Sequence, residues 1–96
     1  MLMSNLDLKY TKHCIIRCQQ RGIDKKVIDF IVRYGNFRNS HKDKKYFINK
    51  KMLYRYKHKH KDFLKKYERK ILKTGVIVNK NTVITAFNIQ GNFIWN

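Results

Sequence analysis

From Tyr10 onward the chain alternates short apolar clusters with lysine-rich stretches, and the spacing of the apolar positions changes along it. Thr11 carries an N-cap side chain, and Tyr10 before it stands at staple spacing from Ile15, which predicts a first helix from Lys12 to Arg21. Gly22 supplies the left-handed residue that ends helices. Asp24 then caps a second helix, with Ile23 and Ile28 again at staple spacing, that runs to Tyr34 and stops at Gly35. The pair is an αα-hairpin. In its second helix Val27, Ile28, Phe30, Ile31 and Val32 cover most of the circumference, so Lys25, Lys26, Asp29 and Arg33 are left an arc about 100° wide. That helix is expected to be mostly buried.

From Asn36 to Lys44 the residues are polar and without period, which predicts a mobile loop carrying His41. Tyr46, Phe47 and Ile48 favour a short strand, and Asn49 can cap the helix beyond it. From Leu53 onward Tyr56, His60, Phe63, Leu64, Tyr67 and Ile71 recur at three- and four-residue steps. This predicts one long helix of roughly 22 residues, about 33 Å, with a single apolar stripe and a cationic remainder that can lie along a phosphate backbone. Thr74 and Gly75 end it. Val76-Ile77-Val78 reads as a strand covered on both faces, and Asn79-Lys80-Asn81 reads as a hairpin turn because Asn tolerates positive φ. A second strand runs from Thr82 to Asn88, and Gln90-Gly91-Asn92 is a further turn. Phe93, Ile94 and Trp95 suit a last strand or a docked tail. The expected fold is α+β: an N-terminal αα-hairpin and one long basic helix packed on a small, mainly antiparallel sheet.

At 96 residues the chain is expected to be a single domain, 1–96, and its 43% hydrophobic content is enough for a packed interior. Lysine and arginine number 23 against 6 acidic residues, a formal charge of +17 that opposes compaction and implies a polyanionic partner. There is no opening signal-peptide pattern and no apolar run near the ~18 residues that span a bilayer, so a cytoplasmic, membrane-free protein is expected. A basic amphipathic helix lying on an anionic membrane is the weaker reading, because the apolar stripe is needed to cover the sheet. No cofactor is expected: there is no Walker loop, no dinucleotide fingerprint and no acidic cluster for magnesium. No metal is expected either. Cys14 and Cys18 lack a second ligand pair and read as reduced, packed thiols, while His58 and His60 would point about 200° apart on a helix.

His13, Arg17 and Arg21 recur every four residues and fall within an ~80° arc of the first helix, one cationic row beside the apolar Cys14, Ile15 and Cys18. Guanidinium forks match phosphate oxygens, and an imidazole exchanges protons near neutral pH. Together they suit cleavage of RNA, where a base must take the 2′-hydroxyl proton, donors must hold the charged oxygens and an acid must serve the leaving 5′-oxygen. A solvated helix face is the competing reading. The RNA-contacting residues expected are Lys45, Tyr54, Arg55, Lys57, Lys59, Lys61, Lys65, Lys66, Arg69 and Lys70, with His41 a reserve catalyst. Tyr46, Phe47, Tyr54 and Trp95 are candidate stacking platforms; Phe47 is assigned to the core and Tyr54 to the surface.

The stretch His13-x3-Arg17-x3-Arg21-Gly22-Ile23, with Gly35 and the later Val76-Ile77-Val78 and Val83-Ile84-Thr85-Ala86-Phe87, resembles the domain-of-unknown-function family numbered forty-two fifty-eight. That family is grouped with RelE/ParE-like toxin folds, and the likeness covers the first ~35 residues and the terminal hairpin. The resemblance implies a compact RelE-like toxin-antitoxin domain, a metal-independent endoribonuclease of mRNA-interferase type, ribosome-associated in some settings and restrained by an acidic antitoxin-like partner. By motif position it makes His13, Arg17, Arg21 and Thr85 the polar site residues. The alternative is a non-catalytic nucleic-acid-binding protein that contacts the phosphate backbone. A helix-turn-helix DNA reader fits poorly, because the exposed arc of the second helix is narrow and carries Asp29.

Overall fold

The computed structural model describes residues 8–89. A two-residue strand, β1 (Lys9–Tyr10), leads into α1 (Lys12–Arg21), where the Thr11 hydroxyl accepts from the Cys14 amide at 3.0 Å. Gly22 closes α1 at φ 67°, and the Ile23 amide donates back to the Cys18 carbonyl at 2.9 Å. Asp24 accepts from the Lys26 amide at 2.9 Å and starts α2 (Lys25–Tyr34). Val27, Ile28, Phe30, Ile31 and Val32 are all buried there, as the pattern requires. Gly35 ends α2 in extended backbone, at φ −85°. It is glycine for space. A Cβ there would run into the backbone carbonyls of Ile31 and Phe47 and stand 2.9 Å from Ile48 Cγ1.

The expected loop after Gly35 is instead a β-hairpin, β2 (Asn36–Ser40) and β3 (Asp43–Phe47), turning through His41 at φ 57° and Lys42. All five β2 side chains are exposed, so backbone pairing holds the strand and no hydrophobic period marks it. Local contacts help: Phe37 and Tyr46 lie 5.4 Å apart across the pair, with Lys44 Nζ 4.5 Å over the Phe37 ring.

The expected long helix is two helices. Asn49 caps α3 (Lys50–Tyr54) by accepting from the Met52 amide at 2.8 Å; turns come next, and α4 (Lys61–Leu72) begins after His60. Between them the amides of Arg55, Tyr56 and Lys57 bond three residues back, a tighter winding than the α-helix. On a continued helix Arg55 and Lys59, and Lys57 and Lys61, would be like-charged pairs four apart with no acid between them, which disfavours the helix by about 0.2–0.5 kcal/mol a pair. The apolar stripe survives the break. Phe30 stacks on Phe63 at 5.1 Å, and His60 stands edge-on to Phe30 at 5.3 Å and beside Tyr34 at 4.9 Å.

β4 (Thr74–Asn79) and β5 (Thr82–Asn88) complete a mixed five-stranded sheet in the order β1-β5-β4-β3-β2, antiparallel except where β1 joins β5. The β4–β5 turn needs its positive φ at Lys80 and not at an asparagine. Pairing Ile77 with Thr85 but Val78 with Val83 leaves Ile84 as a bulge, so Val83 and Ala86 both face inward and are fully buried. Val76, Val78, Val83 and Ala86 join Cys14, Ile28, Ile31, Leu64 and Ile71 in one core between sheet and helices. On the opposite face, Lys45, Ile77 and Thr85 share one register row, and the Phe87 ring packs over Gly75. The sequence positions 93–95 and the turn at 90–92 lie outside the described residues, Trp95 among them.

Two measurements check this packing. Gly35→Ala should lower unfolding free energy in urea by about 3 kcal/mol or more, because backbone must move, whereas Gly22→Ala, strained only by its left-handed φ and with open space around it, should cost about 1 kcal/mol. Burial, with Cys18 beside it, pushes the Cys14 thiol from 9.0 up to about 12, and burial, with Asp29 nearby, pushes Tyr10 from 10.0 up to about 12. The folded state therefore holds these protons after the unfolded chain has released them. Stability should be intact below about pH 9 and decline as pH climbs toward about 12, with Cys14 unreactive to alkylating reagents until the chain unfolds.

Candidate functional site

Because β1 is only two residues long, most of the β5 edge has no strand beside it, and α1 is fastened there instead. The Thr11 amide donates to the Val83 carbonyl at 3.3 Å, the Thr11 hydroxyl to Ile84 O at 3.4 Å, and Arg21 Nη1 to Ala86 O at 2.8 Å. These bonds hold both ends of α1, so its cationic row runs along the β5 edge while Cys14 and Cys18 turn into the core. The two thiols are free, with sulfurs 3.8 Å apart. Arg21 is thus partly structural, yet one bond occupies one of five guanidinium donors.

His13 is exposed and Arg17 half-buried, and they hold each other: Arg17 Nε donates to His13 Nε2 at 3.3 Å. In this arrangement Nε2 accepts, which assigns the imidazole proton to Nδ1. The lone pair a general base would use is engaged by Arg17. Thr85 lies on the sheet face opposite the helices, but its hydroxyl reaches Ala86 O at 3.5 Å, the carbonyl that also takes Arg21. The four polar residues therefore form two pairs, His13 with Arg17 and Arg21 with Thr85.

The lysine surface is shorter and more divided than the single track expected. At 1.5 Å per residue α4 spans about 18 Å, and Lys61, Lys65, Lys66, Arg69 and Lys70 are exposed along it. Arg55, Lys57 and Lys59 sit on the preceding turns, exposed, beside Tyr54, which is 72% exposed with Lys57 Nζ 5.8 Å over its ring. Lys45 is separate from both, half-buried on the outer sheet face with Nζ 5.9 Å from the Phe87 ring. Of the stacking candidates, Phe47 is buried and Tyr46 half-buried. His41 does not join the row: it turns the hairpin at the β2 edge, three strands or about 14 Å from β5.

What the fold does bring together is the C-terminal end of α1 with that of α4. Arg21, Arg69, Lys70 and Lys73 line one cleft of ≈ 460 Å³, with Ile23 and Val27 among its apolar residues and Asp24, Thr74 and Asn88 completing the wall. The cations are not spent on capping. The Lys70 carbonyl is taken by the Thr74 hydroxyl at 2.6 Å and the Lys73 amide at 3.2 Å, and the Lys73 carbonyl by the Ile89 amide at 2.6 Å. Asp24, the carboxylate of the wall, already caps α2, and none of the four cations forms an ion pair among the described residues. Lys73, Asp24 and Asn88 were not among the expected site residues. For Lys73 the signal was present, since Lys61, Lys65, Arg69 and Lys73 recur every four residues.

Among the described residues no group of three His, Cys, Asp or Glu side chains could hold a metal ion, and no helix is long and apolar enough to cross a membrane. The chain matches no protein-family model, no curated protein and no solved structure.

Proposed function

We propose that this protein grips RNA by its phosphate backbone and cleaves it without a metal, as a RelE-like toxin domain acting in a reducing cytoplasm. The observation that carries the reading is the convergence of Arg21 with Arg69, Lys70 and Lys73 in one cleft with a single carboxylate, Asp24, in its wall and no ion pair to the four cations among the described residues. Like charges held together cost free energy that a bound polyanion returns. From that cleft the row on α1 leads outward, so a strand held at Arg21 passes Arg17 and His13. A phosphate drawing Arg17 to itself frees His13 Nε2, which then accepts the 2′-hydroxyl proton as that oxygen attacks phosphorus. The bond to the 5′-oxygen breaks as that oxygen takes a proton from solvent water, leaving a 2′,3′-cyclic phosphate and a 5′-hydroxyl, and the guanidiniums hold the charge of the pentavalent transition state. Arg17 and Arg21 are the clamps; Thr85 is a positioning residue acting through the Ala86 carbonyl.

Lys57, Lys59, Lys61, Lys65, Lys66, Arg69 and Lys70 extend the grip along the RNA, and Tyr54 offers a stacking surface. The likeness to family forty-two fifty-eight is supported by α1 with its left-handed Gly22 and by the β4–β5 hairpin; α3 and α4 stand outside the stretch it covers. An acidic protein that covers the same surface would restrain the activity.

A second reading, backbone binding without cleavage, is favoured by one contact, the Arg17 bond that occupies His13 Nε2. Incubation with RNA in chelator, with and without ribosomes, separates the two. Cleavage is expected, and His13→Ala and Arg17→Ala should each slow it about 10²-fold or more. Intact RNA bound with a log-log salt slope near −0.7 per phosphate contact supports the second reading, and salt-independent or absent binding overturns both.

A further inference from the structure

Four cations around one cleft are more than a single passing phosphodiester needs. A diester carries one negative charge, whereas a phosphate monoester carries about two at neutral pH. Asp24 adds one negative charge to the wall, and Arg21, Arg69, Lys70 and Lys73 outweigh it, which leaves charge enough to hold the latter. The volume, ≈ 460 Å³, exceeds what one phosphate group fills and lies in the range of small-ligand pockets, about 300–1,000 Å³. The surplus space is not bare cationic surface: the edge of Ile23 gives it apolar wall, and the exposed Asn88 offers both a donor and an acceptor. That combination suits a sugar and base beside a terminal phosphate.

We infer that this cleft binds a nucleotide through its terminal phosphate monoester, the phosphate lying among Arg21, Arg69, Lys70 and Lys73 and the nucleoside against Ile23 and Asn88. The inference deepens the RNA reading and rests on it for the polymer, naming an RNA end as the part of the substrate held most tightly. A free nucleoside monophosphate presents the same chemistry.

The test compares one short single-stranded RNA prepared with hydroxyl ends, with a 5′-phosphate and with a 3′-phosphate, together with free nucleoside 5′- and 3′-monophosphates, by calorimetry or fluorescence anisotropy at fixed salt. At least one phosphorylated end should bind about tenfold more tightly than the hydroxyl-ended RNA. Arg69→Gln with Lys73→Gln should weaken every RNA and, as the deciding readout, bring the ratio of phosphorylated-end to hydroxyl-end affinity from about tenfold down to about one. Both side chains are exposed, and an unchanged circular-dichroism melt verifies the variant's fold. A monophosphate that competes for the preference marks the free nucleotide as a ligand too, whereas a preference that it leaves untouched assigns the site to RNA ends; either supports the inference. Equal binding of all three RNAs overturns it while the RNA reading stands, and so does a preference that survives the double substitution. If no RNA binds, the RNA reading falls, and monophosphate binding alone decides the cleft.

Discussion

The constraint on which the rest of this structure depends is self-repulsion. A chain of 96 residues with a formal charge of +17 folds only if its apolar positions close into one interior while its cations are kept at the surface. The stripe of α4 laid on α2 does the first, through Phe63, Leu64 and Ile71 against Phe30 and Ile31. The second has visible consequences. From Arg55 to Lys61, where basic residues alternate with no acid among them, the helix gives way to turns, and the stripe is carried across by Tyr56 and His60 packing on Tyr34. Elsewhere the cations fan out over the exposed side of α4.

At the cleft, repulsion is concentrated where it could have been dispersed. Two helix C-termini meet there, and cations at such ends are ordinarily favoured by the helix dipole. That accounts for part of the charge and not for its arrangement, since the last α4 carbonyls are already taken by Thr74, Lys73 and Ile89. The ammonium and guanidinium groups are not used to cap that helix end. Arg21 is the link between this cleft and the α1 row, because its bond to Ala86 fixes the helix end to β5 and leaves further donors free of that carbonyl.

The same economy governs the β5 edge. A sheet edge invites pairing with another chain, and here α1 covers it through Thr11 and Arg21. The proposed function and the fold thus share residues on α1, and substitutions in the row have to be read with a folding control. Outward-facing Arg69 and Lys73 are cleaner probes of binding, since neither supports the core.

Local chemistry was legible in the sequence wherever a few neighbouring residues settle the backbone. Thr11, Asp24 and Asn49 cap helices, Gly22 closes α1 in the left-handed region, and β5 runs from Thr82 to Asn88 as its pattern requires, because each of these is decided by side chains within a turn of one another. The α2 core face and the exposure of Tyr54 follow from helical period alone. Tertiary structure decided what depends on distant partners. The β2–β3 hairpin rests on backbone bonds that any polar side chains permit, β1 exists because β5 lies beside it, and the 55–60 turns balance local repulsion against burial on α2. The candidate site divides in the same way: the four-residue rows on α1 and α4 can be read from spacing. That Arg21 meets Arg69 and Lys73 cannot, since residues some fifty positions apart come together only when the core brings the two helix ends to one place.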